Sequence, residues 1–145
     1  GVARIQPIWT ARSERRVEKR DRWIRTLAEA MKQSRRAWLP ELLPAIELAE
    51  AVKGLSKADG EGPWLGLAHC PVPGHPDWNR QSITEALPRQ RDALIAIGPE
   101  GDFDPEEIQL FAAAGFTPVT FGEHRLRTEP AALYAVQAFH ILNAP

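Results

Sequence analysis

"AIGPEGDFDPEEI", Ala96 to Ile108, holds the transition that decides how this chain folds. The apolar run Ala93 to Ile97 that enters it (ALIAI) has no polar alternation. That is the pattern of a strand covered on both faces in a parallel sheet. The run stops at Gly98 in a Gly-Pro-Glu-Gly turn, and the signals of a helix start follow. Asp104 is a good N-cap, Pro105 suits the first helical position, and Glu107 sits where a capping box needs its acid. Phe103 and Ile108 flank the cap at hydrophobic-staple spacing. Ile108, Phe111 and Ala112 make the buried stripe, and Gly115 closes the helix. Capping does not account for Gly98 and Gly101, which allow bare backbone to approach something closely. Glycine alone leaves this elbow even between a turn and a binding site.

Outward from the elbow, strand and helix signals alternate. Ile5 to Trp9 reads as a short strand, and Arg12 to Ser13 as its exit. From Glu14 to about Arg36, Val17, Ile24, Leu27, Ala28 and Met31 fall on one helical stripe with Trp23 beside it. The Pro- and Leu-rich WLPELLPAIEL connects to a second helix, Ile46 to Lys53, ending near Gly54. KADGEGP is a loop, Trp64 to His69 a strand, CPVPGHPDWN turn-rich, and Ser82 to Leu87 a short helix. Beyond Gly115, Pro118 to Gly122 is a strand, Glu123 to Arg127 a loop, and Glu129 to Leu142 a mostly apolar helix. This order predicts an α/β domain with a mostly parallel sheet flanked by helices. Ligands gather at the carboxyl ends of the strands in such sheets. Three exits qualify: after Leu67, after Ile97 and after Phe121.

At 145 residues, 43% hydrophobic and 26% charged, the chain has the size and composition of one globular domain, residues 1–145. No apolar run nears the ~20 residues of a membrane helix, and the N-terminus lacks the pattern of a secretory signal. The single cysteine, Cys70, excludes an internal disulfide and fits a reducing compartment. The expectation is a soluble cytoplasmic protein with no membrane partner. The net charge of −1 hides an asymmetry. Between Arg12 and Arg36, ten Lys/Arg face only Glu14, Glu18, Asp21 and Glu29, so this segment is +6 and the remainder −7. A local basic face suits a polyanion docked at one place. On charge alone, a solvated helix laced with ion pairs is the simpler account.

The elbow is neither a P-loop nor a G-x-G-x-x-G fingerprint, because the residues that would complete either are absent. A second candidate is FGEHRLRTEPAALYAV, Phe121 to Val136. His124, Arg125 and Arg127 stand just before Thr128, a plausible N-cap, and the arginines suit phosphate contacts as well as a plain surface loop. His69, His75, His124 and His140 lack metal-ligand spacing, so no metal is expected. His69 and Cys70 are a poor nucleophile–base pair, since adjacent strand residues face opposite ways. No serine occupies a nucleophile elbow.

IGPEGDF with its following EE, and then FG…RLRTEPAA about twenty residues on, resemble the paired signature of the SPOUT methyltransferases. More narrowly they resemble the RsmE family, which methylates N3 of a uridine in 16S ribosomal RNA. The N-terminal GVARIQPIWTARS and the block KRDRWIRTLAEAMKQSRRAWLPEL are similar to two further family patterns, so four blocks run in order across nearly the whole chain. Departures are Asp102 for the second glycine of the GPEGG elbow, Ala11 for the acid of T-E-R-S, and Pro130 in the first turn of the last helix. Aspartate tolerates the left-handed backbone that glycine favours, and proline is tolerated in a first turn. Family members carry an upstream RNA-binding β-barrel and a first strand–helix unit. By that resemblance the chain starts after both and is N-terminally incomplete.

The resemblance implies a SPOUT fold with a C-terminal trefoil knot. It implies S-adenosylmethionine bound by backbone groups of Ile97, Gly98, Pro99, Glu100 and Gly101, of Phe121, Gly122, Arg125, Leu126, Arg127 and Thr128, and of the strand exit at Leu67 and His69. Arg127 is the candidate for stabilising a uracil anion and Glu129 a candidate proton acceptor. For Glu129 the simpler account is an acid favoured by a helix N-terminus. Arg12, Gln33, Arg35 and Arg36 are the candidates for contacting RNA. The small ribosomal subunit or its 16S RNA is the implied partner, with a homodimer in which the last helix forms the interface. The rivals are a SPOUT enzyme acting on a ribose 2′-hydroxyl, a non-catalytic module that binds RNA or S-adenosylmethionine, and an α/β domain whose elbow is only a turn.

Overall fold

A computed structural model describes residues 1–14, 16–53, 55, 62–72 and 79–144. Most of the expected loop 57–63, most of the turn-rich stretch 70–79 with His75, and the helix end at Gly54 lie outside the described residues. The elements in chain order are β1 (Arg4–Ile5), β2 (Ile8–Trp9), α1 (Arg20–Gln33), β3 (Glu41–Leu42), β4 (Ile46–Glu47), α2 (Leu48–Lys53) and β5 (Trp64–Ala68). There follow β6 (Gln81–Ser82), α3 (Ile83–Ala86), β7 (Ala93–Ile97), α4 (Pro105–Ala113), β8 (Thr117–Thr120) and α5 (Thr128–Asn143).

The central sheet has the order β6-β8-β5-β7, and all its pairings are parallel. The unalternating apolar character of β7 has the expected cause. Leu94 and Ala96 pack on one core with Leu65 and Leu67 of β5, α2 and α4. Ala93, Ile95 and Ile97 pack on the other, against Ile83 of α3 and Ala135 and Ala138 of α5. Helices therefore cover both faces. Register decides where the strands end together: Ala68 lies opposite Ile97 on one side and Val119 on the other. Three exits are thus brought level at one edge.

α4 follows its local signals closely, except that Ala112 of the expected buried stripe is exposed and Glu107 is buried in its stead. Asp104 Oδ1 accepts from Glu107 N–H and Glu107 Oε2 accepts from Asp104 N–H, closing the capping box. At the other end Gly115 adopts φ 86. Its N–H donates to Ala112 O and that of Phe116 to Phe111 O, a Schellman close. The Phe111 and Phe116 rings meet edge-on at 4.8 Å, supplying the apolar contact of that motif.

The N-terminal third departs from expectation. The strand expected over Ile5 to Trp9 is two bridges, β1 with β3 and β2 with β4. β3 falls inside the stretch expected to be a plain connection, and β4 takes the first two residues of the expected second helix, so that α2 begins at Leu48 rather than Ile46. The first helix begins at Arg20, six residues after the expected Glu14. Side chains of the preceding segment are drawn to β3 and β4 instead: Arg16 pairs with Glu47, and Glu18 accepts from Ala45 N–H. Arg20 itself donates to Leu42 O. Helix α1 buries no residue completely, and Val17 and Ile24 of its expected stripe are exposed. Among the described residues, no helix is long and apolar enough to cross a membrane.

Candidate functional site

The level exits of β5, β7 and β8 open into one cavity of about 580 Å³, within the range of small-molecule sites. Its walls are three stretches of backbone: Ala68 to Val72, Ile97 to Phe103, and Val119 to Thr128. Of the expected cofactor residues, His69, Ile97, Gly98, Pro99, Glu100 and Gly101 line it, as do Phe121, Gly122, Arg125, Leu126, Arg127 and Thr128. Leu67 does not. Its side chain is 1% exposed and belongs to the hydrophobic core below, because the exit it was meant to mark begins one residue later.

The two bends meet through a side chain. Thr128 Oγ1 donates to Gly98 O at 2.8 Å, so the arginine-bearing bend is fastened to the glycine-bearing one. This corrects the capping expectation: Arg127 is the N-cap and Thr128 the first helical residue. The hydroxyl serves the neighbouring loop rather than its own helix. Gly122 lies at φ 125, where no side chain would be obstructed; backbone conformation, not room, requires glycine there.

The elbow receives two more links. Arg12, expected to contact RNA, lies on the cavity wall and donates from Nη1 to Gly101 O at 2.5 Å. It is held in place by its neighbour: Ala11 N–H donates to Glu107 Oε1 at 2.7 Å. That buried carboxylate therefore closes the α4 cap and anchors the N-terminal segment together. Asp102 adopts φ 62, the left-handed conformation expected of it. Its Oδ2 accepts from Cys70 N–H at 2.6 Å and its Oδ1 from Phe103 N–H at 2.8 Å.

Electrostatics at the β5 exit follow from burial. The His69 imidazole pKa is lowered, chiefly because burial disfavours the charged ring. Its Nδ1–H donates to Cys70 O, which partly opposes that effect. The Cys70 thiol is pushed up by burial first and by the Asp102 carboxylate second. Arg80 donates to His69 O and also lines the cavity; nothing in the sequence pointed to Arg80, Cys70 or the Asp102 link. Among the described residues, no three His, Cys, Asp or Glu side chains cluster as a metal site would need.

Glu129 does not line the cavity; it is exposed in the first turn of α5. Gln33, Arg35 and Arg36 are exposed at the end of α1 and just beyond it, also away from the cavity. Arg35 sits at φ 54 in the closing turn of α1. Arg36 borders a second hollow with Val136, Gln137, His140 and Ile141 of α5.

The mostly parallel sheet flanked by helices is shared with solved methyltransferases of SPOUT type. A profile of the RNA methyltransferase domain matches residues 1–140, and the chain belongs to that family. The ribosomal RNA small subunit methyltransferase E of Synechocystis is 31% identical over 98% of this chain and 46% of its own length. A protein of Legionella pneumophila, described as a methyltransferase and solved with its bound cofactor SAM, superposes with a TM-score of 0.80. It is 30% identical, across 99% of this chain and 57% of the other. The ribosomal RNA small subunit methyltransferase E of Neisseria gonorrhoeae, solved with S-adenosyl methionine, gives a TM-score of 0.74 at 33% identity, covering 99% and 56%. The chain spans about half the length of the curated relatives it matches.

Proposed function

We propose that this domain uses S-adenosylmethionine to methylate N3 of a uridine in 16S ribosomal RNA, acting in the cytoplasm. The observation that carries the reading is the Thr128–Gly98 bond, which closes the two signature bends around a single crevice. The relatives named above support it by what they are called and what two of them bind. The trefoil knot implied by the resemblance belongs to the same reading.

When bound, the cofactor would supply a methyl group already activated on a sulfonium. The chain's own work is then mostly positioning. Backbone groups of Gly98 to Gly101, of Phe121 to Thr128 and of the His69 exit would hold the cofactor. Arg127, on the cavity wall, would offset the charge that develops as uracil N3 gives up its proton to water. Glu129, exposed and off the cavity wall, fits the helix-dipole role better than that of proton acceptor. Arg12, Gln33, Arg35 and Arg36 are assigned to RNA; Arg12 serves the elbow as well. A homodimer through α5 is part of the proposal. Leu133 and Ile141 are 65% and 74% exposed on that helix, apolar surface that a second copy would cover.

Calorimetric titration with S-adenosylhomocysteine, followed by nucleoside mass spectrometry after reaction with 16S RNA, tests the reading. Binding with N3-methyluridine as product supports it. Methylation at a ribose 2′-hydroxyl would move the target, and binding without product would leave a non-catalytic module. Arg127→Ala should cut turnover while sparing cofactor affinity. The opposite split would overturn its role.

A further inference from the structure

Three segments distant in sequence are fastened to the elbow by side chains. Two reach in: Arg12 to Gly101 O and Thr128 to Gly98 O. The third reaches out from the elbow itself. Asp102 spans to the β5 exit, accepting from Cys70 N–H with one carboxylate oxygen and from Phe103 N–H with the other. It does so from φ 62, where glycine is the residue of least strain. A side chain kept there accomplishes something a glycine cannot. The elbow is also shaped to receive it, since a Cβ on Gly98 would come within 2.8 Å of Asp102 Oδ1.

We propose that Asp102 is a positioning residue that clamps the β5 exit to the elbow and so pre-forms the crevice wall at His69 and Cys70. The proposal rests on reading this crevice as the site of an adenosyl cofactor. It acts through the main chain of Cys70 and Phe103 rather than on any reacting atom. An ionised acceptor makes a stronger hydrogen bond than a neutral one, so a single carboxylate can hold two strand exits in register. Without it, the wall samples open arrangements, and apparent affinity falls by the fraction of time the crevice is formed.

Two substitutions separate backbone from side chain. Asp102→Gly keeps the left-handed bend and removes both hydrogen bonds. Asp102→Asn tolerates the bend but offers one acceptor oxygen to two N–H donors. Each variant is titrated with S-adenosylhomocysteine in the calorimeter, and Cys70 is alkylated with iodoacetamide in the free protein. Cys70 is the sole cysteine, so alkylation reports one position. Affinity should fall about tenfold in Asp102→Gly and by less in Asp102→Asn. Alkylation should quicken in both, because the exit is released from its burial and the carboxylate that adds to burial in keeping the thiol protonated is gone. Irreversible loss of folded protein would instead lower the binding stoichiometry at unchanged affinity, and that result counts against the clamp. Affinities within about twofold of the unsubstituted protein, or an unchanged alkylation rate, overturn the proposal. If the unsubstituted protein does not bind the probe, the cofactor reading fails, and the alkylation rates still decide whether the clamp exists.

Discussion

Replacing Thr128 by valine tests the closure of the crevice with little change of shape. Valine keeps the β-branch and volume but loses the hydroxyl that donates to Gly98 O at 2.8 Å. Gly98 is buried, so water cannot easily take the lost donor's place. Removing one partner of such a bond costs about 1–3 kcal/mol, against about 1 kcal/mol for an exposed one. Thr128 is only half-buried, which places the expected loss near the low end, about 1–2 kcal/mol. For a domain near this size, that corresponds to a fall in melting temperature of roughly 2–8 °C. If the bond also holds the two bends together, the affinity for S-adenosylhomocysteine should fall about tenfold, since about 1.4 kcal/mol is one decade. Thr128→Ser retains the hydroxyl and should restore most of both. Differential scanning calorimetry and isothermal titration read the two effects separately. A Thr128→Val protein that melts lower yet binds the probe as tightly as its parent would refute the claim that this bond shapes the site.

Other substitutions probe the same framework. Gly98→Ala should destabilise by about 1–3 kcal/mol, because its Cβ would meet Asp102 Oδ1 at 2.8 Å and the Asp102 backbone at 3.2 Å. Gly101→Ala meets only the flexible Arg12 side chain, at 3.2 Å, and should be nearly neutral in urea unfolding; equal losses would contradict this reading. Glu107→Gln leaves one acceptor oxygen for the N–H groups of Ala11 and Asp104. It should lower stability by about 2 kcal/mol, and an unmoved urea midpoint would show that the carboxylate is not needed. His69 contributes to the pH dependence of stability. Burial lowers its folded pKa below the ordinary 6.5, so below that pH the unfolded chain takes up the proton first. The contribution is full above about pH 6.5 and declines as pH falls toward the lowered folded value. Urea midpoints measured across that interval should drop more for the parent than for His69→Gln.

The elements legible from sequence are those whose causes lie within a few residues. The cap, staple and closing glycine of α4 are all local, and Asp104, Pro105, Glu107 and Gly115 took the roles their spacing implied. β7 was legible because burial on both faces of a sheet leaves a short strand no position for a polar side chain. The convergence of three exits followed from the parallel sheet alone. The bridges of β1 with β3 and of β2 with β4 were not legible. Strands of two residues have no period, and Arg4 finds Glu41 across nearly the whole N-terminal third. The late start of α1 has a similar origin, since Arg16 and Glu18 are satisfied by β4 and its approach rather than by a helix. The Asp102–Cys70 link spans 32 positions and has no sequence pattern. Leu67 lies off the crevice for a simpler reason: its side chain belongs to the core, and the crevice wall begins one residue on at Ala68.

The elbow's two glycines suggested close approach of backbone to something, and the structure identifies part of that something as the protein itself. Gly98 makes room for the Asp102 carboxylate and the Phe103 ring, and Gly101 for the stem of Arg12. Neither glycine requires a ligand to explain it. Arg12, Asp102 and Thr128 instead draw three walls onto one short turn, leaving an open crevice at its centre. A turn whose only task was to reverse the chain has no use for side-chain links to three distant segments, one of them from a residue at positive φ. The argument for a binding site therefore passes from glycine content to this convergence. It predicts that loosening any one of the three links weakens binding more than its share of global stability accounts for.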